Sequence, residues 1–245
     1  MSERNIRLVL AFDGTGYCGW QIQKDQPTLQ GLVSEAISRI TGEQTNLTGS
    51  GRTDSGTHAR GLVANFHTNS KIEPKRLVPA LNSMLPRDIR ILSARRVPDS
   101  FHARRDARSK VYRYQIYLGP VLMPHMMREF FHFPYPIDVS KMERAARRFL
   151  GDHDFACFAK SPPGPNTIRR ILGCDLQKKG RRLSLTIEGN GFLHHMVRNM
   201  AGTLLEIGRG TMTLSEFREL FKKRDRTLAG FTAPAHGLIL LKVKY

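Results

Sequence analysis

The segment Gly51-Arg-Thr-Asp-Ser-Gly-Thr-His58 is the most informative one for predicting the fold of the N-terminal half of this chain. Its Asp-Ser-Gly core predicts a tight turn, because aspartate hydrogen-bonds its own backbone and glycine accepts a positive φ. The residues on either side, 44–50 and 59–68, have the composition of strands. Asp54 is therefore expected on a loop that a sheet holds in place, with Arg52 close enough to keep its carboxylate ionised.

Strands and helices alternate outward from this turn. Alternating apolar residues over 5–12 predict a first strand. An apolar stripe from Leu29 to Ile40, with Thr28 before it and Gly42 after it, predicts a capped helix. Two more elements complete this half: a helix over residues 74–84 and a strand over residues 88–97.

The C-terminal half repeats this order. The predicted strands are residues 110–118, 168–178, 182–189 and the C-terminal segment that ends at Tyr245. The predicted helices are a segment from a capping box at Ser140 to Leu150, residues 193–208, and one that begins with a capping box at Thr213. An exposed loop is expected at Ser161–Asn166, which is rich in proline and glycine.

Both halves follow the order β-α-β-β-α-β. We therefore predict an α+β fold of two similar halves, residues 1–105 and 106–245. The halves are expected to share one extended, mainly antiparallel sheet, with the active-site cleft between them.

The charge of the chain predicts an acidic polymer as its partner. Lysine and arginine total 39 against 21 acidic residues, a formal charge of +18. Most of the basic residues are arginine, whose planar guanidinium makes bidentate contacts to phosphates and bases. No long basic amphipathic helix is evident, so nucleic acid is favoured over an anionic membrane surface.

The remaining composition predicts a soluble, cytoplasmic protein. No apolar run reaches the length of a membrane span, and no signal peptide is recognisable. The three cysteines, Cys18, Cys157 and Cys174, lie far apart and include no C-x-x-C pair. They fit reduced thiols better than disulfides or a zinc site.

Three side chains are candidates for chemistry. Asp54 is the leading nucleophile or base, and Tyr112 on an alternating strand is the second candidate. A strand tyrosine also fits simple core packing. Arg198 is the third, because it borders the apolar stripe of its predicted helix, where a half-buried arginine requires a carboxylate partner. A surface arginine whose stem lies along apolar residues is the alternative.

Other known chemistries fit the sequence less well. Asp-Ser-Gly-Thr also occurs in aspartic proteases, but these need a second carboxylate and the motif is not repeated. A hydrolase that uses Ser55 and His58 lacks the G-x-S-x-G elbow. His194 and His195 would lie ~100° apart on a helix, so they cannot form an i, i+4 metal pair. Asp13–Gly19 follows a strand but lacks the dinucleotide fingerprint, so no cofactor is indicated.

A series of motifs along almost the whole chain resembles the tRNA pseudouridine synthase A family. The segment Gly51–Ala59 resembles its catalytic motif, with Ser55 and Thr57 where alanine and valine are commoner. The other matching segments are Phe12–Trp20, Pro27–Gly31, Phe101–Arg104, Tyr112–Tyr114, Gly151–Phe155, Gly191–Arg198 and Ala233–Leu238.

The resemblance implies an isomerase that converts uridine to pseudouridine at positions 38, 39 and 40 of the tRNA anticodon stem-loop. It also implies a homodimer that uses no cofactor or metal. Asp54 would be the nucleophile, at either the ribose C1′ or the uracil C6. Tyr112 would pack on the target uracil, Arg198 would pair with Asp54, and Arg52 would help to extrude the base.

Two alternatives remain open at this level. One is a non-catalytic RNA-binding protein, against which Asp54 argues, because a phosphate-binding cleft gains nothing from a carboxylate. The other is a pseudouridine synthase that acts at a different RNA site.

Overall fold

The computed structural model describes residues 3–160 and 165–245, so residues 161–164 of the predicted Ser161–Asn166 loop lie outside the described residues. The chain divides into two compact units. The first is Met1–Arg108 with Leu240–Tyr245, and the second is Ser109–Ile239. The predicted division at residues 105 and 106 stays a prediction. The α+β class and the organisation in two halves are confirmed.

The first unit has the element order predicted for it. Its elements are β1 (Arg4–Phe12), α1 (Leu29–Thr41), β2 (Thr48–Gly49), β3 (His58–Thr68), α2 (Pro74–Met84) and β4 (Ile89–Val97). The strand order is β4-β1-β3, continued by the C-terminal strand β10 (Leu238–Lys244), and β2 also pairs with β3. The pairings of β1 with β3 and β4, and of β2 with β3, are antiparallel.

Periodicity accounts for the core of this unit. Ile6, Leu8 and Leu10 alternate along β1 and are fully buried. The α1 helix buries one stripe of its surface, and Gly42 ends it in the left-handed region at φ 72°, which glycine adopts without strain. Thr28 stands at the N-cap as predicted, although its side chain makes no capping hydrogen bond.

The strand predicted over residues 44–50 is wrong in length, since β2 contains only Thr48 and Gly49. Just before it, Glu43 accepts hydrogen bonds from Thr68 Oγ1 at 2.7 Å and from Asn69 N–H at 3.1 Å. A carboxylate therefore binds the end of β3 at the point where a longer β2 would have paired with it.

The second unit contains more elements than predicted. They are β5 (Ser109–Tyr117), β6 (Phe131–His132), α3 (Val139–Ala146), β7 (Gly151–Asp154), β8 (Ile168–Lys179), β9 (Arg182–Gly189), α4 (Met196–Arg209) and α5 (Leu214–Lys223). The strand order is β5-β9-β8-β7, all antiparallel, and β6 pairs with β5 in parallel. The short strands β6 and β7 were not predicted.

Two predicted helix starts in this unit are wrong. The α3 helix begins before Ser140, because Asp138 is the N-cap and its side chain accepts from Lys141 N–H at 3.1 Å. The α4 helix begins three residues after the predicted start, because His195 has a left-handed backbone at φ 64°. The capping box between Thr213 and Glu216 is confirmed.

None of the helices in the described part of the chain is long and apolar enough to cross a membrane.

Candidate active site

Asp54 lies on a turn of the first unit, between β2 and β3. Thr57 N–H donates to Asp54 O at 3.1 Å, and Gly56 adopts φ 77°, as the Asp-Ser-Gly pattern predicts. Ser55 Oγ donates to Tyr17 O at 3.0 Å, which ties the turn to the preceding loop. The side chain of Asp54 is half-buried, and Arg52 lies exposed on the same loop.

The loop Asp13–Gly19 forms the support of this turn. A Cβ atom at Gly14 would lie 2.0 Å from Thr57 O, and one at Gly19 would lie 2.6 Å from Thr53 O. Gly19 also has φ 85°, so two independent constraints require glycine there. From the sequence, these glycines indicated only a loop that lacks the dinucleotide-binding fingerprint. Their function as a backbone contact surface for the Asp54 turn was missed.

His58 belongs to the same support. Its imidazole is buried, and Nδ1 lies 3.1 Å from both Gly14 N and Asp13 Oδ1. Gly14 N–H donates to that nitrogen. Because Ser55 donates to Tyr17 O, the two side chains contact different partners. This arrangement favours structural roles for both over a serine hydrolase pair.

Tyr112 lies on β5 in the second unit, opposite Ile187 of β9. Its side chain is buried, and its ring meets the ring of Phe192 edge to face, with centroids 5.1 Å apart. Tyr114, two residues on, is fully buried and donates its hydroxyl to Pro234 O at 2.7 Å. Burial raises the pKa of Tyr114 well above its usual value, so this hydroxyl stays protonated.

Arg198 is anchored to the backbone of its own unit. Nε donates to Ala233 O at 2.7 Å, and Ala233 N–H donates to Arg198 O at 3.2 Å. Its charge also lowers the pKa of Tyr114, against the larger effect of burial. The side chain is part-buried and is held at Nε.

His194 and His195 do not lie on a helix, and the angular argument made for them is wrong. Both precede α4, His195 has a left-handed backbone, and the centroids of the two rings lie 4.2 Å apart.

The four predicted site residues therefore fall into two pairs. Asp54 and Arg52 share a loop in the first unit, whereas Tyr112 and Arg198 belong to the second. Each residue lies on a segment that local packing holds in place.

Comparison with known proteins gives matches along the chain. A family model described as tRNA pseudouridine synthase matches residues 8–106 and 145–245. A protein named tRNA pseudouridine synthase A from Thermoanaerobacter sp. (strain X514) is 44% identical over 99% of this chain and 100% of its own. Proteins of the same name from Caldicellulosiruptor saccharolyticus and Citrifermentans bemidjiense are 42% and 41% identical, over 99% of this chain and 100% and 98% of theirs.

Solved structures give weaker matches. An archaeal box H/ACA sRNP Nop10-Cbf5 complex is similar at a TM-score of 0.38 and 13% identity, over 82% of this chain and 43% of that one. A Cbf5-Nop10-Gar1 complex is similar at a TM-score of 0.36 and 12% identity, over 82% and 45%.

Proposed function

This chain belongs to the tRNA pseudouridine synthase family, isomerases that convert uridine to pseudouridine, and we propose that its substrate is tRNA, modified at positions 38, 39 and 40 of the anticodon stem-loop. The observation that carries the proposal is identity of 44% over 99% of the chain to a protein named for this activity. An isomerase is a catalyst, so a non-catalytic RNA-binding protein is excluded.

Asp54 is the nucleophile in this proposal. Its carboxylate attacks either C1′ of the ribose or C6 of the uracil, and the bond between N1 and C1′ breaks. The uracil turns, C5 bonds to C1′, the bond to Asp54 breaks and frees its carboxylate, the C5 proton leaves and N1 gains a proton, so atoms balance without any co-reactant. The tight turn and its glycine support favour this role, because a nucleophile must be held in place for attack.

The three other residues assist Asp54 in this proposal. Tyr112 packs on the target uracil and is the candidate for proton transfer. Arg198 pairs with Asp54 and orients it, a role that its anchoring at Nε supports. Arg52 helps to extrude the base, a role that its exposure supports. Extrusion is required because C1′ and C5 of a stacked base are out of reach.

The assembly and location form part of the same proposal. The enzyme acts as a homodimer in the cytoplasm, with one tRNA lying across both chains. Three free cysteines support a reducing compartment. The formal charge of +18 supports a grip on the RNA backbone while the base leaves its stack.

The experiment that tests this function is the mapping of pseudouridine in unmodified tRNA transcripts incubated with the purified protein. We expect new pseudouridine at positions 38 to 40 only. Transcripts with cytidine at these positions are the matched control and should gain none. Pseudouridine elsewhere in the same transcripts would instead show a synthase for another RNA site.

A further inference from the structure

The segment from Gly230 to Ala233 lies along the α4 helix that carries Arg198. Each of its four residues makes a hydrogen bond to that helix. In order, Gly230 N–H donates to Thr203 Oγ1 at 3.0 Å, Phe231 N–H to Glu206 Oε1 at 3.1 Å, Thr232 Oγ1 to Asn199 Oδ1 at 2.7 Å, and Ala233 N–H to Arg198 O at 3.2 Å.

The contact between this 230–233 segment and α4 leaves no space for side chains at two positions. A Cβ atom at Gly202 would lie 1.8 Å from Phe231 O, and one at Gly230 would lie 2.6 Å from the Cα of Thr203. Backbone therefore packs directly on backbone. A shift of the 230–233 segment must be transmitted to α4, because close-packed elements cannot move independently.

Arg226 joins the two elements. Its Nη2 donates to Asn199 Oδ1 on α4 and to Thr232 Oγ1 on the segment, both at 3.0 Å, and Nη1 donates to Ala229 O at 3.2 Å. Asn199 is fully buried and its Nδ2 donates to Phe158 O at 2.6 Å, which fixes the orientation of its amide. The Thr232 hydroxyl thus accepts from Arg226 and donates to Asn199.

The next residue of the segment holds Arg198. Ala233 O accepts from Arg198 Nε at 2.7 Å, one residue after the Thr232 contact with Arg226. The Nε bond fixes the plane of the Arg198 guanidinium. The position of the Ala233 carbonyl therefore determines where that guanidinium lies.

We propose that Arg226 is a positioning residue for Arg198, acting through Asn199, Thr232 and the Ala233 carbonyl. The inference rests on the proposed catalytic role of Arg198. Arg226 itself need not touch the RNA. Its planar fork makes three hydrogen bonds from two nitrogens. A lysine ammonium is a compact point donor and cannot reproduce that fork geometry.

The first test is a double-mutant cycle on single-turnover rates. We expect Arg226→Gln to lower the single-turnover rate by ~10- to 100-fold while tRNA affinity changes by less than about threefold. Displacing the Arg198 guanidinium should lower the rate of reaction more than it weakens tRNA binding. Arg226→Lys should recover only part of the rate. Arg218→Gln removes the same charge from an exposed position on α5 and is the matched control.

The decisive comparison places Arg226→Gln in an Arg198→Met background. If Arg226 acts through Arg198, Arg226→Gln should lower the single-turnover rate by less than about twofold when Arg198 is already methionine. The same fold loss in both backgrounds, or an unchanged rate in either single variant, would overturn the inference. Thr232→Val keeps the shape of the side chain and removes the hydroxyl, so it carries the test if Arg226→Gln does not fold.

A second measurement needs no activity. The signal of the Arg198 Nε–H can be assigned because it is lost in Arg198→Met. This proton should exchange with solvent faster in Arg226→Gln and Thr232→Val than in the wild type or in Arg218→Gln. Unchanged exchange would overturn the inference whatever the rates show. If the wild type makes no pseudouridine in tRNA, the proposed function fails, and the exchange rates still decide the positioning.

Discussion

Asp54 is the residue on which the chemistry depends at the smallest scale. Its turn is held by a backbone bond from Thr57 N–H and by the bond from Ser55 Oγ to Tyr17 O. Neither bond uses the carboxylate of Asp54. The chemistry of that side chain can therefore be changed without removing these two constraints.

We expect Asp54→Asn to fold normally and to lose turnover below detection. Asparagine keeps the side-chain acceptor that favours the turn but removes the charge and the nucleophilic oxygen. Affinity for tRNA should persist or rise slightly, because one negative charge is gone. Tritium release from C5-labelled tRNA, measured together with tRNA binding, tests both statements. Asp175→Asn, at an exposed position on β8, is the control. Activity near the wild-type level in Asp54→Asn would contradict the proposed mechanism.

We expect Arg198→Met to impair turnover more than tRNA affinity. Methionine fills part of the same space but loses the charge and the bond from Nε to Ala233 O. Single-turnover rates and tRNA dissociation constants separate the two effects. The control is Arg209→Met on the same helix, where the guanidinium stacks on Tyr135. An unchanged rate in Arg198→Met would show that this residue does not act on Asp54.

At the scale of elements, the site depends on glycines that allow one loop to support another. The Asp13–Gly19 loop contacts the Asp54 turn backbone to backbone. Trp20 N–H also donates to Thr53 O at 3.2 Å, directly after that loop. A change in the supporting loop should therefore reach Asp54 although it touches no catalytic group.

Gly19→Ala and Gly16→Ala test this support as a matched pair. A Cβ at Gly19 meets Thr53 O at 2.6 Å, whereas a Cβ at Gly16 meets nothing within 4 Å. The positive φ of Gly19 alone costs an alanine ~1–2 kcal/mol. We expect Gly19→Ala to lower both the free energy of unfolding in urea and the turnover rate, and Gly16→Ala to leave both near wild type. Equal effects of the two would show that the contact is unimportant.

At the scale of the whole molecule, charge is the dominant property. A formal charge of +18 on 245 residues predicts binding driven by the release of counterions from RNA. If about six phosphates are contacted, affinity for tRNA should fall ~10³-fold or more between about 50 and 200 mM salt. Filter binding with the inactive Asp54→Asn protein measures this without turnover. A flat response would contradict the electrostatic argument.

Residue patterns by themselves determined most of the secondary structure. Strands β1, β3 and β4 and helices α1 and α2 lie within two residues of the predicted bounds. Periodicity and turn chemistry act over a few residues, so they are visible without the fold. The same is true of the Asp-Ser-Gly turn, the Thr213 capping box and the basic charge. The motif series around Asp54 indicated the family.

Tertiary structure decided which loops and side chains support the site. The bond between Gly14 N–H and His58 joins residues 44 positions apart, and that between Arg226 and Asn199 spans 27. Local patterns carry no information about such contacts, because these depend on how closely packed elements exclude side chains. The start of α4 at Met196 is also outside the reach of the pattern, because His195 adopts a left-handed backbone that the periodicity of the helix does not reveal.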